Sequence, residues 1–138
     1  MSGRGLDRVL VVGALLGLLG VAAGAMGAHA LQGRLSEQQL DWWRTAAHYT
    51  QLHAAVLVAI GLATSAPRVA ALRMAATALA AGIAIFGGTL AAMALGAPRW
   101  LGAVTPLGGV CLLAGWLSLA VAGARARRGP VADHDGPR

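Results

Sequence analysis

Four stretches of about 20 residues pass with hardly any charge, and a helix rising 1.5 Å per residue needs about that length to cross a bilayer core. A soluble domain built from such stretches would expose large greasy patches. The composition agrees: 57% hydrophobic, 12% charged and 20 glycines, with a mean hydropathy of +0.66. The expected fold is all-α, an integral membrane four-helix bundle in one domain, with lipid as the solvent for most of the 138 residues.

The spans fall at about 9–31, 37–64, 67–95 and 106–124, with residues 1–8 as a polar start and 125–138 as a disordered basic tail. The first could be read as a secretory leader ending at Ala28-His29-Ala30. Its apolar run exceeds a leader's roughly 7–15 residues, and the chain after it is also membrane-like, so retention is expected. Ser36 with Gln39 forms a capping box that starts the second helix, and Glu37 suits the positive end of its dipole. Trp42 and Trp43 fit the depth of interfacial anchors. Gly96 and Pro98 end the third span, and Thr105 is expected as N-cap of the fourth with Pro106 in its first turn.

All 11 basic residues are arginine, and they cluster at the ends of the spans. That pattern reads as an orientation signal, not as a nucleic-acid surface, despite the net charge of +6. Arg4, Arg8, Arg68, Arg73, Arg125, Arg127, Arg128 and Arg138 fall on one side, against Arg34, Arg44 and Arg99 on the other. Both termini are therefore expected in the cytoplasm. The single Cys111 excludes an internal disulfide and reads as core filler.

In lipid, apolar burial does not drive helices together, so close backbone packing has to contribute. Gly13, Gly17, Gly20, Gly24 and Gly27 recur every three or four residues, which puts them on one face of the first span. Gly82 and Gly88 in the third span and Gly108 and Gly115 in the fourth are the other expected contact points. Gly87-Gly88 and Gly108-Gly109 read as packing or local helix loosening, since they lie within apolar helices.

Polar groups at membrane depth are costly, so each needs a role. His29 ends the first span, and Thr45, His48, Tyr49 and His53 lie on the second, all expected near the outer surface. Thr45, Tyr49 and His53 share one stripe, with Tyr49 and His53 one turn apart. The sharp reading has His29 and His53 facing each other to bind a metal or haem iron or to relay protons. The plainer reading has each imidazole hydrogen-bonded within the bundle. With Asp7, Glu37 and Asp41 confined to interfacial or terminal segments and no carboxylate deeper in the spans, the second is preferred and no metal or other cofactor is expected. Nucleophile–base sets, phosphate loops and zinc motifs are also missing, so no catalytic residue is assigned.

Four segments resemble the domain of unknown function 423 family, the YgdD- and transmembrane protein 256-like small inner-membrane proteins. They are Gly24-Ala25-Met26-Gly27-Ala28-His29-Ala30-Leu31; Thr45-Ala46 with Tyr49 and His53; Gly82 with Phe86, Gly88 and Leu90; and Thr105-Pro106-Leu107-Gly108-Gly109-Val110 leading to Ala114-Gly115-Trp116. The resemblance implies a four-span inner-membrane protein and no particular activity. His29, Tyr49, His53, Thr105 and Pro106 fall on the family pattern. His48 falls where relatives carry other polar residues, and Ala91 where a relative shows Tyr.

The expected function is a non-enzymatic structural or assembly component, self-associating through its glycine faces. The partners expected are the bilayer, a second copy or other membrane proteins, and not nucleic acid. One rival is transport of an ion or small solute through an outer-side pocket of His29, Tyr49 and His53, and the other is metal or haem binding at His29 and His53.

Overall fold

The computed structural model describes residues 3–63 and 69–126, all of it helices and the turns that join them. Helix α1 (Gly3–Ala28) leads through a turn into α2 (Glu37–Leu62). Helix α3 (Val69–Gly82) passes through a π-helical turn (Ile83–Gly87) into α4 (Gly88–Ala94), a continuous but irregular rod. A 3₁₀ turn (Arg99–Ala103) then delivers the chain to α5 (Thr105–Ala126). The expected tail beyond residue 126 and the link around Pro67 and Arg68 lie outside the described residues.

Helix α1 starts earlier than expected and stops at Ala28, so His29 belongs to the connecting turn, not to the span. That turn closes at Gly33, whose φ of +74° is a region where a side chain is strained. Beyond it Ser36 accepts from the Gln39 backbone N–H while Gln39 accepts from Ser36 N–H, which completes the capping box. Gly96 ends α4 at φ +99°, its N–H donating to Met93 O.

Three helices are long and apolar enough to cross a membrane: Asp7–Ala28, Ala70–Ala94 and Arg99–Arg125. The fourth, α2, matches them in length at 26 residues but carries the polar residues, and α1, α3, the π turn and α4 all pack against it. Helix α1 packs along α2, α5 packs along α3, and the π turn and α4 close onto α2. On α2, Gln51 and His53 find hydrogen-bond partners inside the bundle, whereas Glu37, Asp41, Arg44, His48 and Tyr49 are exposed. Helix α1 has Leu15, Leu18 and Leu19 exposed and Gly13, Gly20 and Gly27 buried.

Most of the glycines expected as contact points pack against other helices of the same bundle. A Cβ on Gly13 would lie 2.8 Å from Val58 N, one on Gly20 2.8 Å from the Gln51 side chain, and one on Gly27 2.8 Å from the Trp43 ring. Gly24 meets the Gln51 amide, while Gly17 makes only ordinary contact with Ala54 at 3.9 Å. Across the other seam Gly82 meets Leu112, Gly108 meets the Phe86 backbone and Gly115 meets Leu79. Gly88 departs from the expectation: nothing lies within 4 Å of its would-be Cβ. The core between the two helix pairs centres on Leu57 and Leu79, both fully buried, with Ile60, Ile83 and Leu112 around them.

Candidate functional site

The depth of His53 follows from how α1 and α2 meet. Gly17, near the middle of the apolar stretch Asp7–Ala28, lies against Ala54, so His53 lies level with the middle of that stretch. From the start of α2 at Glu37, 16 residues of helix carry the chain about 24 Å to His53. His29 stays in the exposed turn, 12 residues beyond Gly17 and so about 18 Å away along the axis. The two imidazoles do not face each other, so the sharper reading of a paired metal or haem site at His29 and His53 finds no support in their placement.

His53 is 3% exposed, and both of its ring nitrogens are engaged. Nδ1 lies 2.7 Å from the carbonyl of Tyr49, one turn back on α2. A carbonyl only accepts, so Nδ1 carries the hydrogen. Nε2 then accepts from the indole N–H of Trp116 on α5, at 3.2 Å. The imidazole is neutral in this arrangement, which is the least costly state for it at such depth.

Around this bond the rings form a continuous chain. Phe86, on the π turn, lies 4.6 Å from Tyr49; Tyr49 stacks on His53 at 5.7 Å; His53 meets Trp116 edge-on at 6.2 Å. His48 touches Tyr49 edge-on at 6.2 Å, and half-buried Thr45 lies a turn before Tyr49, outside the cavity these rings border. The sequence stripe anticipates the Tyr49–His53 neighbours. Phe86 and Trp116 come from other helices, and no single-helix period could supply them.

The π turn positions Phe86. Gly88 N–H is shared between the Ala84 and Ile85 carbonyls, and Thr89 Oγ1 donates to Ile85 O at 2.7 Å, so the widened turn is held by a side chain. Thr89 Oγ1 also lies 2.8 Å from Thr105 Oγ1, which in turn reaches Leu101 O at 3.2 Å. Thr105 is therefore not the N-cap: the 3₁₀ turn leads straight into α5, and with the Thr89 O–H given to Ile85 O, the one Thr105 O–H donates either to Thr89 Oγ1 or to Leu101 O. Pro106 lies in the first turn of α5 and lines the cavity mouth.

Two further polar ties join α1 to α2. Trp43 Nε1 donates to Ala23 O at 2.7 Å, and Gln51 Nε2 donates to Gly20 O at 2.7 Å. Close approach at Gly20 and Gly24 makes the second possible, because a Cβ at either would strike Gln51. At the loop end Arg99 donates to Gln38 and lies over the Trp42 ring, 5.6 Å from its centroid. No buried side-chain nitrogen or oxygen lacks a partner, and no cluster of three or more His, Cys, Asp or Glu occurs, among the described residues.

A cavity of about 550 Å³ opens between α2, the π turn and α5, bordered by His48, Tyr49, Leu52, His53, Phe86, Pro106, Gly109, Leu113 and Trp116. It opens to the outside of the bundle, where Leu113 is 71% and Leu52 49% exposed.

A family described as "Protein of unknown function (DUF423)" matches residues 23–109. Three similar proteins are a UPF0382 membrane protein of Staphylococcus epidermidis, 39% identical over 113 residues, one of Staphylococcus haemolyticus, 37% over 112, and the UPF0382 membrane protein YwdK of Bacillus subtilis, 35% over 114. These alignments cover 82%, 81% and 82% of this chain and 92%, 91% and 93% of the relatives. No solved structure matches the chain.

Proposed function

The chain belongs to the DUF423 family of membrane proteins, and we propose that it serves as a non-enzymatic structural or assembly component of the inner membrane, both termini cytoplasmic. The observation that carries this reading is the use made of its long polar side chains. Trp43, Gln51 and Trp116 each reach from one helix to the next, and Thr89 meets Thr105 across the seam. Such interhelical bonds contribute about 0.6 kcal/mol each on average in a bilayer, up to about 1.7. Groups committed in this way hold a bundle in one register.

The arginine distribution supports the orientation, with Arg8, Arg73 and Arg125 near the terminal end and Arg34, Arg44 and Arg99 near the loop end. Assembly with other membrane proteins would use the lipid-facing side chains of α1 and α5, because most of the expected contact glycines pack within the bundle.

A transport role remains the second reading, favoured by one observation: a buried histidine beside an open cavity. Purified protein in sealed liposomes separates the two. The structural reading expects proton and solute leakage equal to that of empty vesicles; flux abolished by His53→Leu would replace it with transport.

A further inference from the structure

Helices α1 and α3 run in the same direction but scarcely meet, and the seam between them stays open. Each carries an exposed arginine in its first two turns, at the terminal end. Arg8 stands on α1, and Arg73 reaches across from α3 so that its guanidinium carbon lies 2.8 Å from where a Cβ of Gly5 would stand. Gly5 and Arg8 are three residues apart on one face of α1, about 4.5 Å along the axis. Two guanidinium groups from different helices are thus brought to the head of one seam. Arg8 makes no ion pair among the described residues, where Asp7 is the one carboxylate at this end against Arg8, Arg73 and Arg125.

Beside Arg8 the seam widens into a cavity of about 380 Å³, with Val9 and Val12 on one wall, Thr77, Ala80 and Ala81 on the other and buried Leu57 at the floor. Because both helices run inward from their arginines, the order along the seam is cations first and then two turns of apolar wall. Thr77 does not interrupt it, since its hydroxyl donates to Arg73 O. Further along, a second cavity of about 250 Å³ lies beside Leu16 and Leu19 of α1 and Ala84 of the π turn. From Arg8 to Leu19 the axis advances about 16 Å, close to half of a bilayer core of roughly 30 Å.

Charge selects the occupant. An apolar groove alone accepts an acyl chain or another helix, but arginines at its head match a phosphate, whose oxygens accept paired N–H bonds from a guanidinium. Basic pockets between membrane helices are places where anionic headgroups bind. We propose that the α1–α3 seam binds an anionic phospholipid, its phosphate held by Arg8 and Arg73 and one acyl chain laid along the groove toward Leu19. This goes beyond the structural role and does not depend on it.

The test is native mass spectrometry of the detergent-purified protein with phosphatidylglycerol or phosphatidylcholine added. Wild type is expected to retain one phosphatidylglycerol in preference to phosphatidylcholine, whose phosphate charge its own choline offsets. Arg8→Gln and Arg73→Gln should each weaken that binding about fivefold, the equivalent of about 1 kcal/mol per arginine. Arg34→Gln removes the same charge at the loop end and should leave it unchanged. Ala81→Phe keeps both arginines but fills the groove, and should also weaken it. Circular dichroism and gel filtration report whether that variant folds; if it does not, Thr77→Phe at the exposed rim blocks the groove instead. Equal retention of the two lipids by wild type, or a loss in Arg34→Gln as large as in Arg8→Gln, overturns the proposal. So does inorganic phosphate that displaces the lipid, which would make the arginines a plain anion site, and so does a wild-type dimer lost in Ala81→Phe, which would give the groove to a second copy.

Discussion

Trp116 of α5 donates its indole N–H to Nε2 of His53 on α2, a 3.2 Å bond between residues 63 positions apart in sequence. One partner is 3% exposed and the other 44%, so the indole closes over the imidazole from the lipid side. The bond requires His53 to be hydrogenated on Nδ1, which the Tyr49 carbonyl enforces.

Removing that donor should loosen the α2–α5 seam without unfolding the bundle. Trp116→Phe is expected to lower stability in a detergent unfolding titration by about 0.6–1.7 kcal/mol from the bond, plus a packing loss. In a His53→Leu background the same change should cost less, and the difference is the coupling between the two rings. Equal losses in both backgrounds would mean the bond contributes nothing.

The glycines should separate sharply. Gly108→Ala places a methyl against the Phe86 backbone and Gly13→Ala one against Val58 N, where no side chain can swing away. Each is expected to destabilise by about 1–3 kcal/mol. Gly88→Ala has nothing within 4 Å and should be neutral or slightly stabilising. The same unfolding titration ranks all three.

Gln51→Leu should weaken the α1–α2 contact twice over. It removes the donor to Gly20 O and puts a branched side chain where Gly20 and Gly24 allow only a slim one. Cysteine cross-linking between the two helices would show the loss as lower yield; unchanged cross-linking would contradict the contact.

Orientation has its own readout. A reporter active only in the cytoplasm, fused after Arg138, is expected to be active, and one inserted in the Gln32–Leu35 turn inactive. The reverse pattern would invert the arginine argument.

Much of the architecture was legible along the chain because it is local. Helix length, the Ser36–Gln39 box, the turn at Gly96 and the Tyr49–His53 spacing depend on neighbours within a few residues. What was not legible depends on how helices rotate against each other. In a soluble bundle an apolar stripe marks the inward face; α5 is apolar all round, so nothing in its pattern points Trp116 at His53. The same ambiguity lets Gly88 pass for a contact glycine and His29 for a partner of His53. Thr105 misleads differently: its Thr-Pro pairing has the composition of a helix start, but the preceding 3₁₀ turn already supplies the first turn, so its hydroxyl is free to meet Thr89. The π turn had a partial signal in Gly87-Gly88, whose looseness permits the shared Gly88 hydrogen bond.

The central claim is that His53 is a neutral cross-helix tie, and long-range proton–nitrogen NMR of imidazole-labelled protein at neutral pH tests it most directly. The account predicts the Nδ1–H tautomer for His53, with Nε2 as an unprotonated acceptor whose resonance moves in Trp116→Phe. An Nε2–H tautomer, or a His53 signal indifferent to Trp116, would contradict it.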